Sequence, residues 1–166
     1  MGVGGDARAM RKVRATDAER MASPASVRRA VADAVGAENV AVNYYELEPG
    51  DSFAFGYHSH AGQEEVFYVL DGTATFETDD GEVVVEEGEA VRFAPGERQQ
   101  GHNRTGDKVV ALALGAPKDA PGGSELFRDC PDCGERTPHG LEKTDGGRVA
   151  VTTCLECGAE TGRYSV

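Results

Sequence analysis

The sequence predicts an all-β protein, a small barrel or sandwich, on three observations. Between Val40 and Ala116 the apolar period is two, so alternate side chains share a face. Turn chemistry interrupts this pattern at short intervals, at Pro49-Gly50-Asp51, Gly62, Asp71-Gly72, Asp79-Asp80-Gly81, Glu87-Gly88, Pro95-Gly96 and Gly106-Asp107. Glycine is abundant at 22 residues and tryptophan absent, which suits tight turns better than long helices. Strands are expected near 40–48, 53–60, 64–71, 73–78, 82–86, 90–94, 98–104 and 108–115, with Val, Phe, Tyr and Leu inward and acidic side chains outward. A small barrel with one interior pocket satisfies that pattern.

The flanks differ in composition. Residues 1–22 are rich in Gly, Ala and Arg without an apolar period, and are expected to form a mobile arm. An amphipathic helix with its lead-in is expected over 23–39. Ser23 is placed as N-cap and Pro24 at the first helical position, with Val27, Ala30, Val31, Ala34 and Val35 spaced three or four apart and Gly36 at the end. After the barrel, taken as residues 40–116, the Pro- and Gly-rich stretch 117–124 has the composition of a linker. The remainder, 125–166, has too few apolar residues for a core of its own, so something must staple it.

The cysteines supply the staple. Cys130-Pro131-Asp132-Cys133-Gly134 and Cys154-Leu155-Glu156-Cys157-Gly158 are two CxxC-G knuckles separated by twenty residues. Each can offer two thiolates to one ion, and the spacing resembles a zinc ribbon with one structural zinc. Iron in a rubredoxin-like site and a redox dithiol are the alternatives. His139, between the knuckles, reads as a surface residue.

Charge narrows the partners. The formal net charge is -12, and residues 40–116 carry 15 acidic against 4 basic side chains. Nucleic acid and anionic membrane surfaces would be repelled. No apolar run reaches bilayer length and the N-terminus lacks the apolar core of a signal peptide, so a cytoplasmic location is expected. Only four of the 17 basic residues are lysine, a bias that resembles haloarchaeal proteins and predicts halophilic behaviour. The melting temperature should therefore rise from low to molar salt as self-repulsion is screened; a flat or falling series would contradict this.

The candidate site lies in Gly56-Tyr57-His58-Ser59-His60 and the residues after it. On an extended strand His58 and His60 point the same way, and the loop containing Gly62 returns the chain so that Glu64 or Glu65 comes alongside. Two imidazoles and a carboxylate on neighbouring strands outline a metal site.

These residues resemble the first motif of the cupin superfamily, G-x5-H-x-H-x3-4-E-x6-G. His58, His60, Glu65 and Gly72 fit the spacing, and the distance to Gly72 selects Glu65 over Glu64. The leading glycine is displaced, with Ser52 at its place and Gly50 two residues earlier. In the second motif, G-x5-P-x-G-x2-H-x3-N, aligning Gly96 and Asn103 puts Gln99 where the third histidine should stand, and Ala94 where the proline should. The resemblance implies a double-stranded β-helix, or jelly-roll barrel, joined here to one N-terminal helix and a small C-terminal zinc ribbon.

It also implies one divalent ion, iron, manganese, nickel or zinc, held by His58, His60 and Glu65 with Gln99 as a weak fourth ligand. Gln99, Asn103, Tyr57 and Tyr68 are the candidate ligand-contacting residues, the tyrosines at the cavity mouth. His102 becomes a ligand only if a bulge turns it inward. The expected function is that of a metal-binding cupin-domain protein handling a small molecule in the barrel, with dioxygenase or isomerase chemistry. The alternative is a non-catalytic ligand sensor or scaffold whose zinc ribbon contacts a protein partner. A homodimer is expected from the family's habit.

Overall fold

The structure, a computed structural model, describes residues 10–166. Among the described residues, thirteen strands and one short α-helix follow in chain order, with 3-10 turns at Ala15–Asp17 and Asp145–Gly147: β1 (Val27–Ala30), α1 (Val31–Val35), β2 (Ala41–Leu47), β3 (Tyr57–His60), β4 (Glu64–Asp71), β5 (Thr73–Thr78), β6 (Gly81–Glu86), β7 (Ala90–Phe93), β8 (Gln99–His102), β9 (Val109–Ala116), β10 (Ser124–Cys130), β11 (Glu135–Thr144), β12 (Val149–Cys154) and β13 (Glu160–Ser165). They form two sheets in which every pairing is antiparallel. One has the order β1-β2-β9-β4-β7 and the other β13-β12-β11-β10-β3-β8-β5-β6.

Strict alternation builds the core. Along β4, Phe67 and Val69 are buried while Tyr68 and Leu70 face out, and along β9 the inward positions include Val109, Ala111 and Ala113. Phe53, Phe67, Phe76 and Phe93 meet with ring centroids 4.9–6.2 Å apart. Phe76 is fully buried among them. Gly101 on β8 leaves it the room, because a Cβ there would stand 2.5 Å from the Phe76 ring and 2.6 Å from that of Phe53.

The expected helix over 23–39 is corrected. Residues 27–30 form an edge strand, Val27 opposite Glu46 and Ala30 opposite Asn43, and the helix is only the turn Val31–Val35. A five-residue helix is short, whereas the open edge of β2 satisfies the backbone groups of residues 27–30 directly. Ser23 does not cap a helix; its hydroxyl accepts from the Ala25 amide at 3.1 Å. Gly36 does end the helix, at φ +70°. Strand β3 is also shorter than the expected 53–60, since Ser52 makes only an isolated bridge to His102.

Both expected loose segments pack against the body. Of the expected mobile arm, residues 1–9 lie outside the described residues. Ala18 and Ala22 are buried, and the Ala22 amide donates to Gly147 O at 2.9 Å. The expected linker 117–124 is strapped down: Lys118 N donates to Asn39 O at 2.9 Å, Ala61 N to Gly123 O at 3.0 Å, and Ser124 opens β10.

The tail continues the second sheet through β10, which pairs with β3 from Ser124 opposite His60 to Phe127 opposite Tyr57. Gly56 allows this approach, because a Cβ there would come within 2.4 Å of Phe127 O. Ala22, Phe55 and Ala150 form a small second core with Leu126 and Tyr164. The apolar surface the tail lacks is supplied by the body of the chain.

Candidate metal centre and its cavity

Three side chains from two strands converge as the sequence predicts. His58 and His60 share a face of β3, and Glu65 reaches them from β4, with His58 Nε2 3.9 Å and His60 Nε2 3.7 Å from its Oε2. One ligand atom from each lies within 4.8 Å of the others. Glu64, one position away, faces out and pairs with Arg92, so alternation brings Glu65 and not Glu64 to the histidines.

The outer ring nitrogens are engaged, which aims the inner ones. His58 Nδ1 lies 3.0 Å from Gly56 O, and His60 Nδ1 lies 2.7 Å from Ser124 Oγ. Protonated Nδ1 atoms donating to these oxygens would leave both Nε2 lone pairs facing Glu65, as metal-binding imidazoles require. Ser124 belongs to the tail, so the tail helps to orient His60.

Burial pushes the Glu65 carboxyl up to about 7, against the Gln99 hydrogen bond that favours its charged form. Burial and then the neighbouring His60 hold His58 down at about 4. A carboxyl reluctant to ionise beside imidazoles that resist protons is the electrostatic condition a divalent cation relieves. Gln99 completes the group. It is 2 % exposed, its Nε2 donates to Glu65 Oε2 at 3.0 Å and sits 3.4 Å from His58 Nε2, and its Oε1 is buried without a partner. The donor set fits a divalent ion, with an amide oxygen in reserve.

The site opens on a cavity of about 880 Å³. Tyr45, Phe53 and Phe67 contribute an apolar wall, and Leu126, His139, Leu141, Lys143 and Leu155 come from the tail. His139 is corrected from a surface residue: it is 5 % exposed, its Nδ1 is 2.9 Å from Thr137 O, and its Nε2 is buried without a partner. Its spacing between the knuckles carried no signal, because only the docking of β11 turns it inward.

Other candidates lie away from the cavity. Tyr68 is on the outer face of β4 and 39 % exposed. Tyr57 faces away from His58, its hydroxyl bonded to Asp79 and its ring 5.2 Å from the Arg136 guanidinium. Asn103 braces a loop: its Nδ2 donates to Leu47 O at 3.0 Å and Asp107 O at 2.7 Å, and its Oδ1 accepts from Thr105. His102 alternates away from Gln99 and opposes Thr75.

A second cluster gathers Cys130, Cys133, Cys154 and Cys157, all free thiols, their sulfurs within 4.8 Å of one another. The Cys130–Cys157 and Cys133–Cys154 sulfurs are 3.6 and 3.9 Å apart. Tetrahedral zinc with bonds of about 2.3 Å sets sulfurs about 3.8 Å apart, so the cluster fits such an ion. The Thr137 hydroxyl, 3.1 Å from Cys154 Sγ, pulls that thiol down to about 6.

The sequence comparisons bear on the same strands. Residues 43–115 match the family model of the cupin domain. With the solved structures, this match supports the cupin superfamily. A putative sugar phosphate isomerase from Acidithiobacillus ferrooxidans is 26% identical over 68% of this chain and 70% of its own, with TM-score 0.52. A cupin-superfamily sugar phosphate isomerase from Silicibacter pomeroyi is 22% identical over 91% of this chain and 92% of its own, with TM-score 0.58. A polyketide cyclase from Streptomyces resistomycificus is 24% identical over 69% and 83%, with TM-score 0.57. No curated protein matches the sequence. The matched residues run from β2 to β9 and include the three-residue donor set, while the cysteine cluster lies beyond them. No described helix is long and apolar enough to cross a membrane.

Proposed function

We propose that the chain is a metal-dependent cupin enzyme that isomerises a small polyhydroxylated molecule, such as a sugar, in the cavity. The observation that carries this reading is the convergence of His58, His60 and Glu65 on the wall of a cavity large enough for such a molecule. The 26% identical isomerase of similar fold favours isomerisation over oxygenation. A divalent ion bound by these residues would polarise a substrate carbonyl or hydroxyl oxygen. Gln99, bonded to Glu65, would hold that carboxylate in place, and His139, which lines the cavity, would take up and return a proton. Tyr45, Phe53 and Phe67 would exclude water from one side of the substrate.

In this reading the four cysteines hold a structural zinc in a ribbon-like tail whose docking surface is the chain's own barrel. The second reading, a ligand sensor without turnover, draws on Gln99, which stands at the usual histidine position and bonds Glu65. There the tail would present a surface to a protein partner. A homodimer is part of both readings.

The double variant His58→Ala, His60→Ala is expected to lose one ion per chain by elemental analysis, the cysteine-bound ion remaining, and to abolish aldose–ketose interconversion followed by NMR across a panel of sugars and sugar phosphates. Unchanged metal content would remove the barrel site. Tight binding without turnover by the loaded wild type would favour the sensor.

A further inference from the structure

The cavity carries positive charge that the metal-ligand set does not use. Arg28 on β1 and Lys143 on β11 both line it, brought there from opposite ends of the chain. Neither joins an ion pair among the described residues. The Arg28 guanidinium sits 5.9 Å from the Tyr45 ring centre, and its Nε is buried without a hydrogen-bond partner. A third cation in the wall, Lys118, is taken by Asp33 at 2.6 Å. Of the carboxylates in the wall, Glu65 belongs to the donor set and Glu125 pairs with Arg98 at 3.4 Å. In a chain of net charge -12, two unpaired cations sharing one cavity form a local surplus.

Their fields overlap each other. Desolvation and then Arg28 push the Lys143 ammonium down, although the residue as a whole is exposed. Bringing two like charges together is unfavourable unless an anion joins them. The two heads divide the labour of anion recognition, the planar guanidinium matching two oxygens of a phosphate or carboxylate and the ammonium adding a point charge.

We propose that Arg28 and Lys143 form an anion subsite that holds the phosphate or carboxylate end of the substrate while His58, His60 and Glu65 face its reacting end. This rests on the cavity being the substrate site and narrows the substrate to an anionic one. The subsite exists only in the assembled chain, because Lys143 arrives with the tail.

The test is calorimetric titration of the metal-loaded full chain, at low salt, with inorganic phosphate and with malonate. Arg28→Gln, Lys143→Gln and the His58→Ala, His60→Ala variant are titrated alongside. At least one probe should bind the wild type and weaken about tenfold or more in each of the two glutamine variants, with barrel metal content unchanged. A larger loss for phosphate indicates a phosphate monoester, and a larger loss for malonate a carboxylate. No binding of either probe to the wild type, or affinities unchanged by both glutamine substitutions, would overturn the subsite. Unchanged metal content in the histidine variant would overturn the metal reading alone, leaving the subsite to the glutamine variants. Lys143 is exposed, so its variant should fold; circular dichroism and metal content check this for both.

Discussion

Cys130→Ser combined with Cys154→Ser is expected to release the tail from the barrel together with the ion of the four-cysteine cluster. The segment 125–166 has little core of its own; its apolar contacts are the small cluster of Leu126, Ala150 and Tyr164 against Ala22 and Phe55. Structural zinc contributes on the order of 10 kcal/mol to folding in small zinc domains, more than so small a cluster can replace. The consequence reaches the barrel, because Ser124 and the β3–β10 pairing hold His60 from the tail side. Limited proteolysis should cut the variant within residues 131–166 and spare the barrel, and elemental analysis should find one ion fewer per chain. Equal protection of the tail in the variant and the wild type would show that the cluster is not the staple.

Phe76→Ala should cost about 3–5 kcal/mol, the range for removing a fully buried aromatic ring. Phe76 has no exposed surface and meets Phe53, Phe67 and Phe93 at centroid distances of 5.7, 4.9 and 5.4 Å. Collapse into the space is restricted, since Phe67 and Phe93 are anchored on β4 and β7 of the first sheet and Phe53 on the segment leading into β3. In a chain of this size the loss corresponds to a fall in melting temperature of about 10 °C. Urea unfolding followed by circular dichroism measures it directly. A cost below about 1 kcal/mol would mean that the rings repack freely and that the core is less specific than its geometry indicates.

The strands between residues 40 and 116 were legible because most bury one face and end in turn residues of specific backbone demand. Asp71-Gly72 illustrates this: Gly72 adopts φ +82°, and a Cβ there would stand 2.5 Å from Lys108 O. His58, His60 and Glu65 were legible for the same reason, since a period of two decides which side chains share a face. The same periodicity is ambiguous over residues 23–39, where Val27, Ala30 and Val31 suit either a helical stripe or an edge strand. Only the presence of β2 as a partner decides for the strand. Tyr57 and Tyr68 failed as mouth residues because strand aromatics can serve either face, and Asn103 because a buried amide can brace a loop as well as touch a ligand.

The sequence alone determined the local facts: short strands, the face shared by two histidines and a glutamate, glutamine in place of a further histidine, and two knuckles able to share one ion. Each follows from spacings of a few residues, where backbone geometry leaves little choice. The cavity was decided by tertiary structure. Arg28 and Lys143 are more than a hundred residues apart. They share a cavity with the donor set, and Ser124 meets His60, only because β1 pairs with β2, β10 with β3 and β11 with β10, and those pairings are set by which open sheet edges remain to satisfy backbone hydrogen bonds.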